Sequence, residues 1–237
     1  KGTLYYFDPV TKGVVFLHHF SGQGDGQAPT NELVYDPVSQ KFYGTTNDAA
    51  GDPGTIFSFA PATNTFNTVL TDFGGRAQPQ RQLVIHNNYI YGVLARGGFV
   101  GNPAVFRVAT NGTGFTIIHE FADFNALPQQ IVLGADGKLY GVDLFGGTIC
   151  DPIRPNEGCG ELFSLNPVPP GDPNVQYQVL KTFQYYRGFP CPTNPPDPDC
   201  VEQSGVQFNY PQTLIYGSDG FIYGATFYSV FRMDPHA

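Results

Sequence analysis

The stretch GKLYGVDLFGG, residues Gly137–Gly147, sets a glycine in the middle of what otherwise reads as a β-strand. A glycine there packs nothing and costs backbone entropy, so a single occurrence would weaken the strand. The chain nevertheless repeats it: KFYGTT at Lys41, YIYGVL at Tyr89, KLYGVD at Lys138 and FIYGAT at Phe221. Successive copies place Gly44, Gly92 and Gly141 at intervals of 48 and 49 residues, with Gly224 a further 83 residues on. A regular period of this length decides the fold.

Three other segment types recur around this Tyr-Gly strand in fixed order. The strand before it reads NELVYDP (Asn31), RQLVIHN (Arg81), QQIVLGA (Gln129) and PQTLIYG (Pro211). The strand after it reads GTIFSFAP (Gly54), PAVFRVAT (Pro103), GELFSLNP (Gly160) and YSVFRMDP (Tyr228), with GTLYYFDP (Gly2) as an extra copy. A fourth reads GVVFLHHF (Gly13), FNTVLTDF (Phe66), FTIIHEF (Phe115) and YQVLKTF (Tyr177). We label these A, B (the Tyr-Gly strand), C and D. Each is short, rich in Val, Ile, Phe, Tyr and Thr, and bounded by turn residues, as strands are. Turns such as ADGK, SDGF and TNGTG mark tight hairpins. No helical period is sustained anywhere.

Four short antiparallel strands per repeat of about 49 residues predict a β-propeller blade. In order the chain reads C-D, three times A-B-C-D, then A-B-C, which makes 17 strands in four to five blades with one incomplete. The repeat units are expected near 2–20, 29–73, 79–121, 128–183 and 210–235, within one domain spanning 1–237. Insert loops at 148–159 and 184–209 interrupt the series. The uneven strand count fits a piece of a longer propeller, a compact ring with one incomplete blade, or open terminal blades that complete a neighbouring copy by strand complementation. The chain has no initiator Met and no signal peptide, as expected of a processed chain or a fragment.

The repeat resembles the bacterial tandem repeat called GloVer, whose units read roughly as dGnLYGtT..GG....GtvF.l.p.G....ly.F. DGKLYGVDLFGG, CGELFSLNP and YQVLKTF, between Asp136 and Phe183, carry the likeness most fully. YIYGVLARGG and FIYGATFYS are degenerate copies. The resemblance implies secreted or surface-anchored bacterial proteins built as propellers. It brings no general activity and no catalytic residues.

Composition limits the partners. Charged residues are 14% of the chain, the net charge is −8, and the 12 Lys and Arg are scattered, which argues against nucleic acid and anionic membranes. No apolar run reaches the length of a membrane-spanning helix. Phe 21 and Tyr 14 give the aromatic load of a packed protein. The four cysteines form two C-x8-C pairs, Cys150/Cys159 and Cys191/Cys200, each bracketing a loop rich in Pro, Asp or Asn. Local pairing is the simplest of three connectivities and implies an oxidising, extracellular or cell-surface location.

Alternating strand direction puts the B–C and D–A loops, and hence both cysteine inserts, on one face of the disc. Between the inserts, Tyr185, Tyr186, Arg187 and Phe189 form a candidate binding set for a glycan or protein partner, copies of the chain itself included. On the inner A strands, Glu32, Gln82, Gln130 and Thr213 align as the expected lining of a central channel. One acid and two amides suit hydrogen bonding better than acid–base chemistry. No nucleophile has a visible activating base, and no cofactor is indicated beyond the thin Ca2+ ligand pair Asp197 and Asp199. His18 and His119 share a D-strand position with Thr71 and Lys181, which reads as a half-exposed outer-strand site. The sequence therefore predicts a secreted, non-catalytic binding or structural propeller. The alternative is an extracellular lyase or hydrolase centred on the channel. Each Tyr-Gly glycine is expected to make room for a ring of the adjacent blade, with Phe106 or Phe163 as candidates.

Overall fold

A computed structural model describes the chain except for residues 30, 48–53, 74–78, 96–97, 99–100, 123–125, 148–157, 168–176, 184–209, 228 and 237. The described residues are all-β, with seventeen strands in five antiparallel sheets. The first sheet has β1 (Gly2–Asp8) and β2 (Gly13–Phe20). The second has β3 (Val34–Asp36), β4 (Lys41–Thr46), β5 (Thr55–Ala60) and β6 (Thr65–Leu70). The third has β7 (Pro79–His86), β8 (Tyr89–Leu94), β9 (Ala104–Ala109) and β10 (Thr116–Glu120). The fourth has β11 (Pro128–Leu133), β12 (Leu139–Asp143), β13 (Glu161–Leu165) and β14 (Tyr177–Thr182). The last has β15 (Pro211–Tyr216), β16 (Ile222–Thr226) and β17 (Val230–Met233). Two, four, four, four and three strands is the C-D, A-B-C-D, A-B-C series read from the repeats.

Within each sheet the strands follow chain order, so every connection is a hairpin. The innermost strands β3, β7, β11 and β15 pack side by side, each on the next. Sheets that share an inner edge in this way and stack face to face are propeller blades. Four apolar cores fill the four spaces between the five sheets. Between the third and fourth sheets, Tyr91, Val93 and Val105 meet Leu139, Phe163 and Leu165. The fourth sheet then offers Tyr140, Val142 and Leu162 to Leu214, Ile222 and Phe231 of the last. The second, third and fourth sheets thus each give the tyrosine of their Tyr-Gly pair to the following sheet.

The glycine serves its own sheet instead. Gly141 is the cross-strand partner of Phe163, and Gly92, Gly44 and Gly224 are partners of Phe106, Phe57 and Phe231. A Cβ on Gly92 would stand 2.6 Å from Phe106 Cζ, and one on Gly141 would stand 2.7 Å from Phe163 Cε2. Each C-strand ring therefore lies flat across the bare glycine of its own blade. This corrects the expectation that the ring comes from the adjacent blade. A large side chain folded over a cross-strand glycine keeps the sheet thin enough to wedge between two neighbours, while the ring still faces the preceding blade.

Hydrogen bonds also tie three of the tyrosines. Tyr140 Oη donates to Asp136 Oδ2 at 2.8 Å and Tyr223 Oη to Asp219 Oδ2 at 2.6 Å, each aspartate lying in the A–B turn of its own blade. Where that turn is Asn87–Asn88, Tyr91 Oη donates instead to the Pro167 carbonyl of the next blade at 3.2 Å.

Candidate functional site

Three of the four aligned inner-strand side chains meet. Gln130 Nε2 donates to Gln82 Oε1 at 3.3 Å, and Gln130 Oε1 accepts from Thr213 Oγ1 at 2.8 Å and from the Leu214 N–H at 2.9 Å. Strand register places them there, because β7, β11 and β15 are adjacent copies of one segment. Gln130 is buried, and its amide connects three blades. Glu32 stands apart: it is exposed and precedes β3, which is only three residues long. Its place at the inner edge is taken by Asn31, whose amide donates to the Pro79 carbonyl of the next blade at 3.2 Å. Tyr185, Tyr186, Arg187, Phe189, Asp197, Asp199, Cys150, Cys191 and Cys200 all lie outside the described residues. Cys159 is fully buried and disulfide-bonded.

The D-strand histidines are half-buried and stack on the following blade. The His18 ring lies 3.6 Å from that of Phe66, nearly parallel, and His18 Nε2 is 3.0 Å from Asp25 Oδ2. The His119 ring lies 3.9 Å from that of Tyr177, again parallel. Burial lowers the His119 pKa to about 4, against the opposing charge of Glu120. An imidazole that stays neutral when folded favours the unfolded state as soon as the latter can take up a proton. Its contribution is present above pH ~6.5 and is lost as the pH falls toward 4. His119→Phe keeps the stack and removes that proton, so the melting temperature of the variant relative to wild type should be higher at pH 5 than at pH 8. A difference independent of pH would show that His119 titrates as it does in the unfolded chain.

Two carboxylates shifted upward lie where β12 ends and β13 begins, a position the inner-strand alignment does not reach. Asp143 and Glu161 are cross-strand partners, 0% and 7% exposed. Asp143 Oδ1 accepts the N–H groups of Leu127 at 2.7 Å and Phe145 at 3.1 Å, while Oδ2 has no hydrogen-bond partner among the described residues. Burial pushes its pKa up to about 7 against those donors, and the charge of Glu161 adds to the rise. Glu161 is raised by burial too, although Tyr177 Oη donates to its Oε1. The Gly146–Gly147 turn closes over the pair: a Cβ on Gly146 would stand 2.8 Å from Asp143 Oδ2 and 2.9 Å from Glu161 Cγ. The same register position holds Thr46 with Thr55 in the second sheet, their hydroxyls 2.9 Å apart. It holds Leu94 with Ala104 in the third sheet, and Thr226 with Ser229 beside β16 and β17, again 2.9 Å apart. Where the second and last sheets carry a self-satisfied hydroxyl pair, the fourth carries two acids. The sequence signal was the joint departure of VD and GE from the pattern TT and GT, hidden by the insert between them.

The D strand leaving Glu161's partner Thr182 and the A strand entering at Pro211 lie at this same end of the blades, since Asp143 also pairs with Pro128. The B–C and D–A connections of the described residues therefore share one face. Among those residues no group of three or more His, Cys, Asp or Glu side chains forms a metal cluster. No helix there is long and apolar enough to cross a membrane.

The sequence model of the Gloeobacter/Verrucomicrobia repeat matches residues 1–197. No curated protein sequence matches the chain. Among solved structures, TolB from Acinetobacter baumannii aligns at a TM-score of 0.49 and 13% identity, covering 94% of this chain and 46% of that one. A TolB structure from Agrobacterium tumefaciens aligns at 0.47 and 11% identity, covering 72% and 53%. A chain of a nidogen/laminin complex aligns at 0.42 and 14% identity, covering 97% and 84%. The chain spans about half the length of the two TolB chains.

Proposed function

The chain belongs to the Gloeobacter/Verrucomicrobia repeat family, and from that premise we propose that it is a secreted or cell-surface β-propeller acting as a non-catalytic binding and structural protein. The observation that carries this reading is the Gln82–Gln130–Thr213 ladder. Its polar groups hydrogen-bond one another across blades at the inner strands, where a channel-centred lyase or hydrolase would keep its acid and base. Glu32 is the one acid of the aligned set, and Gln82, Gln130 and Thr213 give it no titratable partner. A Cys150–Cys159 and a Cys191–Cys200 bridge would suit the oxidising compartment and stiffen the loop face for a glycan or protein ligand at Tyr185, Tyr186, Arg187 and Phe189.

A further blade, whether of the same protein or of a second copy, is the partner the two end sheets suit. The last sheet leaves Thr213, Ile215, Tyr223, Ala225, Val230 and Arg232 along an open groove, with Val230 82% exposed. That face repeats the Tyr-bearing side that the second, third and fourth sheets bury. The first sheet exposes Tyr5 (58%) and Phe7 (55%), which correspond to the buried Phe57 and Phe59 of the second sheet. One copy's last sheet and another's first sheet hold the two halves of the contact the molecule makes internally, and head-to-tail stacking would join them. Sedimentation velocity across a concentration series should show association that Val230→Glu abolishes. A strict monomer at every concentration would exclude the assembly, and turnover by a purified channel variant series dependent on Gln130 would exclude the non-catalytic reading.

A further inference from the structure

We propose that Asp143 and Glu161 form a binding site for a hard divalent cation, Ca2+ being the best match. The inference is independent of the binding-protein reading above. Two observations support it. Asp143 is completely buried, yet its Oδ2 has no hydrogen-bond partner among the described residues and lies close beside Gly146, next to the Glu161 side chain. A buried carboxylate oxygen without a donor is costly unless something positive sits against it. Secondly, the fold does not require acids at this position, because the other blades fill it with Thr46 and Thr55, with Leu94 and Ala104, or with Thr226 and Ser229. Replacing a hydroxyl pair by two acids in one blade adds like charges a cross-strand distance apart, which is destabilising without a compensating charge.

Among the described residues, no basic side chain stands among the groups acting on the pair. The groups acting on the pair are the N–H groups of Leu127, Phe145 and Gly146, the Tyr177 hydroxyl, and the two acids themselves. The neighbouring His119, stacked on Tyr177, is held neutral by burial. Oxygen-only coordination excludes the softer, nitrogen- and sulfur-seeking metals and favours Ca2+. Asp143 Oδ2 and the outer oxygen of Glu161 are the two protein ligands, and Oδ1 and Oε1 are already fixed by Leu127, Phe145 and Tyr177, which orients both carboxylates. A Cβ on Gly147 would be 3.6 Å from Glu161 Oε2, so the Gly146–Gly147 backbone passes close to both free oxygens. The remaining positions are for water, as is common for Ca2+.

The test is calorimetric titration of the whole chain, stripped with a chelator, with CaCl2 at pH 8, accompanied by thermal melts with and without the ion. The wild type should bind one ion with an accompanying rise in melting temperature. Asp143→Asn and Glu161→Gln should each weaken binding at least tenfold. Asp143→Thr with Glu161→Thr, which restores the hydroxyl pair of the second sheet, should fold, melt identically with and without Ca2+, and give no heat at this site. Binding unchanged in all variants would locate the ion elsewhere, with Asp197 and Asp199 the next acids to test, and would overturn the assignment. So would a wild type that ignores Ca2+ while losing stability as the pH rises from 4 to 7, since a shared proton would then be the neutralising charge.

Discussion

Gly141→Val is expected to destabilise the fold by about 3 kcal/mol or more, at the upper end of what overpacking a core costs. Its new side chain would have to enter the space held by the ring of Phe163, itself fully buried and pressed against the preceding blade. The ring cannot simply swing away, because Phe121 and Tyr177 pack its other edges with ring centroids 5.5 and 5.3 Å distant. For a chain of this size the loss corresponds to roughly 6–12 °C in melting temperature. Phe163→Leu in the same background should recover part of it, because the smaller side chain vacates the space above residue 141. Thermal denaturation of wild type and the two variants decides the matter. A Gly141→Val protein as stable as wild type would mean that the Tyr-Gly repeat has some purpose other than packing.

Gln130→Leu should be almost as damaging, although the two side chains are close in volume. It leaves Gln82 Oε1, the Thr213 hydroxyl and the buried Leu214 N–H without the partners they have now. Unsatisfied buried groups cost about 1–3 kcal/mol each, and two of these three lie at a half-open inner edge, so about 3 kcal/mol in total is expected from chemical denaturation. If the amide served a ligand and not the blades, the same substitution would leave stability unchanged or improve it.

Much of this organisation could be read from the residues, because a propeller repeats its solutions. The Tyr-Gly period, the Asp-Gly and Asn-Gly turns and the C-D, A-B-C-D, A-B-C series lead directly to seventeen strands in sheets of two, four, four, four and three. Aligning the A strands also brought Gln82, Gln130 and Thr213 to one level, since neighbouring copies of a strand occupy equivalent heights. Glu32 broke that pattern because β3 begins only at Val34. The origin of the ring over each glycine was misread for a definite reason. A C-strand phenylalanine has the same repeat offset whether it reaches its own blade or the next, and only the cross-strand register separates the two. Stacking of His119 on Tyr177 likewise depends on which D strands face each other, a relation sequence spacing does not contain.

The acid pair was missed for the opposite reason, since it departs from the repeat. Asp143 and Glu161 sit on either side of an insert, and each alone resembles an ordinary surface carboxylate. Their meaning appears only when both are compared with the threonines, serine, leucine and alanine at the same register. Repeats make the common residues legible first, and function is then to be sought at the copy that differs.

The central structural claim is that the inner-strand polar groups bind blade to blade. A double-mutant cycle of Gln130→Leu with Thr213→Val tests it directly, since the pair lies 83 residues apart in sequence and is joined by the 2.8 Å hydrogen bond between blades. Equilibrium denaturation of the four proteins should return a coupling energy of about 1 kcal/mol, within the range for contacting partners. Additivity to within about 0.3 kcal/mol would contradict it and return the inner strands to the search for a ligand.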